Sequence, residues 1–196
     1  IVPASTAPGE IVVNGMSLSR RDSPYANSGF VTSIELDELA KHGFHGVFAS
    51  MNFQAHVERA MFEAGDGTQA APAQRVTDFV ARKLSSSFPN TSYIPGILSR
   101  PLDKLLPSFV ANRLQQGIVE INKKMKGYHT QDAIEVGTES RTSSPIRVPR
   151  DTNTLMHPQI KGFFPCGEGA GYAGGILSAA MDGQRVAHAV RDFLKY

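Results

Sequence analysis

Ile160-Lys161-Gly162-Phe163-Phe164-Pro165-Cys166, then Gly167-Glu168-Gly169-Ala170-Gly171-Tyr172-Ala173-Gly174-Gly175, then a run opening at Ile176 are the most informative stretch of the chain. The first segment reads as a short apolar strand and the second as a glycine loop. In the third, Ile176, Ala180, Gly183, Val186/Ala187, Val190 and Leu194 recur at helical spacing. A glycine-rich turn feeding a helix offers unpaired N–H groups and the positive end of the helix dipole, a setting for an anion or an electron-rich oxygen. Gly169, Gly171 and Gly174 match the spacing of a dinucleotide fingerprint. That fingerprint belongs to a βαβ unit of roughly 30 residues, and only one strand and one helix are legible here, so an NAD-binding first turn is not favoured. Glu168 adds a carboxylate whose natural partner is a hydroxyl, such as that of a ribose or ribityl chain. Two other readings stay open: a phosphate or nucleotide binder without redox chemistry, and a tight strand-to-helix connection that needs glycine for its backbone.

Upstream, Ile11-Val12-Val13 and Phe30-Val31-Thr32-Ser33-Ile34 read as strands. Between them the polar segment 14–29 is too long for a hairpin turn and becomes a candidate site wall. Phe53, Val57, Ala60, Met61 and Ala64 predict a helix over 51–64, closed by Gly65-Asp66-Gly67. Pro72 is expected to open a second helix with Val76, Phe79, Val80 and Leu84 inward, and Pro107 a third with Val110, Leu114, Ile118, Ile121 and Met125, ending at Gly127. A short turn is expected at Leu102–Leu106. These helices form a block over about 35–127, bracketed by further β segments at Ala133–Val136 and Ser144–Val148.

Composition narrows the function classes. The 196 residues are 41% hydrophobic and 19% charged with a formal charge of +2, the profile of an ordinary globular protein. The basic residues occur as pairs, Arg20–Arg21 and Lys123–Lys124, so the clustered phosphate contacts of a nucleic-acid binder are missing. No apolar run approaches the roughly 18–20 residues that span a bilayer. HExxH, CxxC, Walker and GxSxG patterns are absent, which leaves metal, nucleoside triphosphate and serine-nucleophile chemistry unsupported. Cys166 allows no internal disulfide and reads as a small packing residue; cysteine poverty points to a cytoplasmic or organellar-matrix home. Ile1, with no leader-like segment around it, reads as an internal cut.

Gly162–Ile176 followed by Ser178-Ala179-Ala180-Met181-Asp182-Gly183 resembles the C-terminal FAD-contacting motif of uncharacterised FAD-dependent dehydrogenases, a branch of the NAD(P)/FAD-dependent oxidoreductases. Other blocks resemble that family in its order: Asn14-Gly15-Met16-Ser17 with Arg21-Asp22-Ser23, Ala71-Pro72-Ala73-Gln74-Arg75, Ser92-Tyr93-Ile94-Pro95-Gly96, Leu105-Leu106-Pro107, and Glu139-Ser140-Arg141-Thr142-Ser143-Ser144-Pro145. The resemblance covers only the family's C-terminal portion, without the N-terminal FAD fingerprint. It implies an α+β chain: a substrate-side domain over 1–150, made of a β layer with the helical insertion, and a segment over 151–196 returning to the FAD domain as strand, glycine loop and helix. It further implies an FAD-dependent oxidoreductase moving a hydride to or from a small molecule, with NAD(P)H open as electron donor and a missing FAD lobe as partner. Gly167, Glu168, Gly169, Ala170, Gly171, Tyr172, Gly174, Gly175 and Ile176 would contact the cofactor, the N–H groups near Gly174, Gly175 and Ile176 facing the flavin's N1/C2 edge. Arg21 and Arg141 would bind an anionic or carbonyl-bearing substrate. A non-catalytic binding module that keeps the fold is the alternative.

Overall fold

The structure, a computed structural model, describes residues 1–195. It is mixed α+β. In chain order the elements are β1 (Val2–Ala4), β2 (Val12–Asn14), α1 (Leu36–Lys41), α2 (Ala49–Ala64), β3 (Ala71–Arg75), α3 (Val76–Ala81), β4 (Ile97–Ser99), α4 (Leu102–Leu105), α5 (Ser108–Lys124), β5 (Ile134–Val136) and α6 (Ile176–Leu194). They fall into two compact units, residues 1–35 with 53–140 and residues 36–52 with 141–196.

The first unit holds both sheets. β1 and β2 pair antiparallel, and β3 is the centre of a three-stranded sheet, parallel to β4 and antiparallel to β5. The predicted start of a helix at Pro72 is therefore overturned: Ala71–Arg75 is a buried strand and the helix begins at Val76, with Val76 and Phe79 inward as expected. Proline is tolerated at the centre of this sheet because Pro72 lies where the β5 ladder ends, and its carbonyl accepts the Gly137 N–H at 2.9 Å. The helix is short because Arg82 adopts the left-handed conformation, φ 55°, which leaves Leu84 exposed instead of on an inner face. Segment 35–127 is accordingly not purely helical, since β3 and β4 lie inside it.

The helices of α2, α5 and α6 lie where helical spacing puts them, and α4 is the expected turn near Leu102. Phe53, Val57 and Met61 of α2 are buried, as are Val110 and Ile118 of α5, while Met125 is exposed beyond the end of α5. Segment 30–34 is not a strand. Phe30 instead seats its ring where a Cβ on Gly117 of α5 would come within 2.8 Å of it, and the Ser33 carbonyl accepts from Arg113 Nη1 at 3.1 Å. One ring in a glycine notch and one side-chain donor replace a ladder.

The second unit has α6 as its long element and is otherwise mostly irregular. The expected strand at 160–166 is absent because Gly162, at φ 77°, turns the chain, with Phe163 N–H donating to the Ile160 carbonyl. Segment 144–148 is likewise no strand; Val148 N–H reaches the Ala170 carbonyl at 3.1 Å, and Ile146 N–H the Ser144 hydroxyl. The buried line of α6 also differs from the expected stripe. Asp182 and Val186 face inward, whereas Ile176 is 92% and Leu194 74% exposed.

Candidate functional site

The glycine loop is a folded object. Gly171 N–H donates to the Glu168 carbonyl at 2.9 Å and Tyr172 N–H to the Gly167 carbonyl at 3.0 Å, closing a tight turn over 167–172. Gly171 must be glycine: its φ is 83°, and a Cβ there would stand 2.5 Å from the Ile146 carbonyl oxygen. Gly169 is different, because a Cβ on it would meet nothing within 4 Å. The loop thus has a packed inner side at Gly171 and an open side at Gly169.

Arg150 and Asp182, which the sequence reading left without a role, fix this loop together with Tyr172, whose ring and hydroxyl are engaged within the protein. Asp182 accepts from Arg150 through both oxygens, at 2.9 and 2.6 Å, and also from the Gly167 N–H at 2.9 Å. Arg150 donates as well to the Pro165 carbonyl, and its guanidinium lies 3.6 Å from the centroid of the Tyr172 ring. The Tyr172 hydroxyl donates to the Val148 carbonyl at 2.9 Å. The loop is held at its start by Asp182 and near its end by Tyr172, with Arg150 joining the two. The Arg150 and Asp182 side chains are only 7% and 8% exposed. The hydrogen bond from Arg150 holds the Asp182 carboxyl below the ordinary carboxylate range, and Asp182 raises Arg150 in return. Asp182 stands four residues before Val186 and so on its face of α6, and that placement was the available signal, since a carboxylate on a buried face demands a cation.

At the head of α6, Gly175 N–H is engaged by the Ser178 hydroxyl at 3.1 Å, and that hydroxyl also bonds the Gly175 carbonyl. The donors left by helix geometry are therefore those that follow Gly175, not Gly175 itself. Gly174, Gly175 and Ile176 are all exposed, and so is Glu168. Arg141 is exposed and belongs to the same unit; its neighbour Thr142 presents its carbonyl oxygen 3.4 Å from a Cβ built on Gly174. Arg21 belongs to the first unit, exposed in the 14–29 segment with φ 53° and its N–H on the Leu18 carbonyl. Cys166 is exposed, so it is not the interior packing residue expected.

The first unit carries a polar cluster that periodicity could not reveal. Glu10 and Glu58 are buried, and the Thr6 hydroxyl lies 3.0 and 3.1 Å from one oxygen of each. Ser140 donates to the other oxygen of Glu58, and Arg59 pairs with Glu10 at 3.3 Å. Among the described residues no group of histidine, cysteine or carboxylate side chains could hold a metal ion, and no helix is long and apolar enough to cross a membrane.

The open side of the loop and its donor set suit a ligand that carries hydroxyl groups and a carbonyl or anionic edge. An exposed carboxylate at Glu168 can take hydroxyl hydrogens, the head of α6 can take a carbonyl or anionic edge, and the Gly169 surface leaves room for close approach. Comparison with known proteins gives the family from residues that lie outside the loop. Residues 1–142 match the family described as FAD-dependent protein, C-terminal domain-like, and the chain belongs to that family. An uncharacterized protein of Clostridium beijerinckii is 40% identical over 196 residues, covering 98% of this chain and 36% of the relative's length. The chain thus spans little more than a third of that relative.

Proposed function

We propose that the protein is an FAD-dependent oxidoreductase and that this chain supplies its C-terminal part, residues 1–150 on the substrate side and residues 151–196 completing the cofactor site. The observation that carries this reading is the pinned glycine loop opening onto the exposed head of α6 in a chain of an FAD-dependent family. FAD, when bound, supplies the hydride-accepting ring system; the protein contributes placement and electrostatics. Glu168 would accept hydrogen bonds from the ribityl or neighbouring hydroxyls. The first-turn N–H groups of α6 would hold the electron-rich edge of the ring without rearranging, because Asp182 and Arg150 have already fixed the loop. Arg141, beside Gly174 through Thr142, is the substrate-side cation of this unit; Arg21 is a candidate on the family resemblance alone. The adenine end would be held by residues outside this chain.

A visible absorption spectrum of the protein from its native source, with intact mass on the same sample, tests the proposal. Flavin bands are the expected result, and a colourless protein that binds no added FAD would overturn it. Anaerobic addition of NADPH or NADH to the coloured protein tests the donor, which bleaching of the flavin band would identify.

A further inference from the structure

Beside the loop, but outside the residues that would meet a cofactor, the second unit has a cavity of about 450 Å³. Its walls include Leu36, Val47, Phe48, Ile146 and Val148, and Arg147 is the one charged residue among those lining it. Val47 is 85% and Phe48 52% exposed, so the apolar walls stand open to solvent. The volume lies within the roughly 300–1,000 Å³ of small-molecule sites, which pair apolar walls with a few placed polar groups.

Arg147 supplies the polar group. Its guanidinium rests 4.4 Å from the centroid of the Tyr172 ring, the same ring that carries Arg150 at 3.6 Å. Two cations share one ring, yet the carboxylate there, Asp182, is spent on Arg150 through both oxygens. Arg185 lies near enough to Asp182 to help lower it, a second cation on the carboxylate that Arg150 already occupies. Among the described residues no carboxylate pairs with Arg147. The ring holds the guanidinium in place, which reduces the entropy a ligand's anion would lose in ordering it.

We propose that this cavity binds an amphipathic organic acid, its carboxylate on the Arg147 fork and its apolar body against Val47, Phe48 and Ile146. A planar fork with free donors suits a carboxylate, and the apolar walls disfavour a ligand charged along its length. None of the residues lining the cavity is among those assigned to the cofactor; the one group shared with that set is the Tyr172 ring, on which Arg147 rests.

The test is calorimetric titration of the intact protein with octanoate and with its uncharged twin octanol. Saturable octanoate binding is expected, with octanol at least tenfold weaker. Arg147→Gln should bring octanoate down to the octanol level, while Arg147→Lys should keep part of the difference. No saturable octanoate binding, or binding unchanged in Arg147→Gln, overturns the proposal. Should Arg147→Gln disturb the fold, hydrogen exchange of the unaltered protein with octanoate decides. Protection of 46–50 and 145–149 supports the site, and protection confined to other segments overturns it.

Discussion

Arg150 and Asp182 form the ion pair on which the loop's shape depends. Their mutual burial means that removing one partner leaves the other charge desolvated and unpaired, a change that costs about 3 kcal/mol or more in well-buried pairs. Arg150→Met should therefore lower the urea-unfolding free energy by about that amount, and Asp182→Asn by somewhat less, because the amide oxygen can still accept one bond. The pH dependence has a definite sign. Asp182 is held below its unfolded value of about 3.9, so the pair's contribution is present above that pH and lost as pH falls through the depressed value. Acid unfolding of the Asp182→Asn variant should lack this part of the transition. The glycines separate in the same way. Gly171→Ala would force a Cβ against the Ile146 carbonyl at a positive φ and should destabilise by about 1–3 kcal/mol. A Cβ at Gly169 meets no neighbour within 4 Å, so thermal denaturation of Gly169→Ala should find the fold intact while the purified protein retains less flavin. A run of glycines looks uniform in a sequence. Only the backbone angle and the neighbouring carbonyl show which of them the fold requires and which leave space for a ligand.

Helices and strands were not equally legible. The helices α2, α5 and α6 announce themselves because an apolar face recurs every three or four residues, whatever that face packs against. β3 does not, since Ala-Pro-Ala-Gln-Arg has no β-branched residue and owes its extended form to β4 and β5 on its two sides. The reverse error occurs at 30–34, where β-branched residues lack a partner strand, and at 160–166, where Gly162 turns an apolar run. β5, read correctly as a strand, carries a consequence its pattern does not show. Glu135, opposite Gln74 on β3, is pushed by burial from an ordinary 4.5 up to about 7. The folded protein therefore holds a proton there that the unfolded chain has released, and stability falls as pH rises from about 4.5 to about 7. Glu135→Gln removes the cost of ionisation. Its unfolding free energy should exceed that of the parent above pH 7 by on the order of 3 kcal/mol and converge with it near pH 4. Denaturant midpoints at the two pH values would check this, and equal midpoints in the two proteins at high pH would refute it.

At the scale of the whole molecule, the inner line of α6 is short and polar at Asp182, while the apolar residues at its head point outward. Ile176, Leu177 and Met181 are 92%, 79% and 66% exposed, a cluster that helical spacing had assigned to the interior at Ile176. The sequence shows that such a face exists, but not what covers it, because the covering surface is not encoded in the same stretch. A relative of which this chain spans 36% has further chain available for that purpose. Contiguous exposed apolar area of this kind drives association when nothing is packed on it. Residues 1–196 produced alone should therefore show concentration-dependent association by light scattering, and Leu177→Lys with Met181→Lys should reduce it. The double variant should leave thermal unfolding of the isolated chain nearly unchanged, since surface changes away from packed features usually stay within about 0.5 kcal/mol. In a longer protein whose further chain covers this face, the same two changes should be costly, lowering both its stability and its retention of flavin. A chain that stays monodisperse at all concentrations would show instead that this face is content in water, and the head of α6 would then have to be read as a surface for ligand alone.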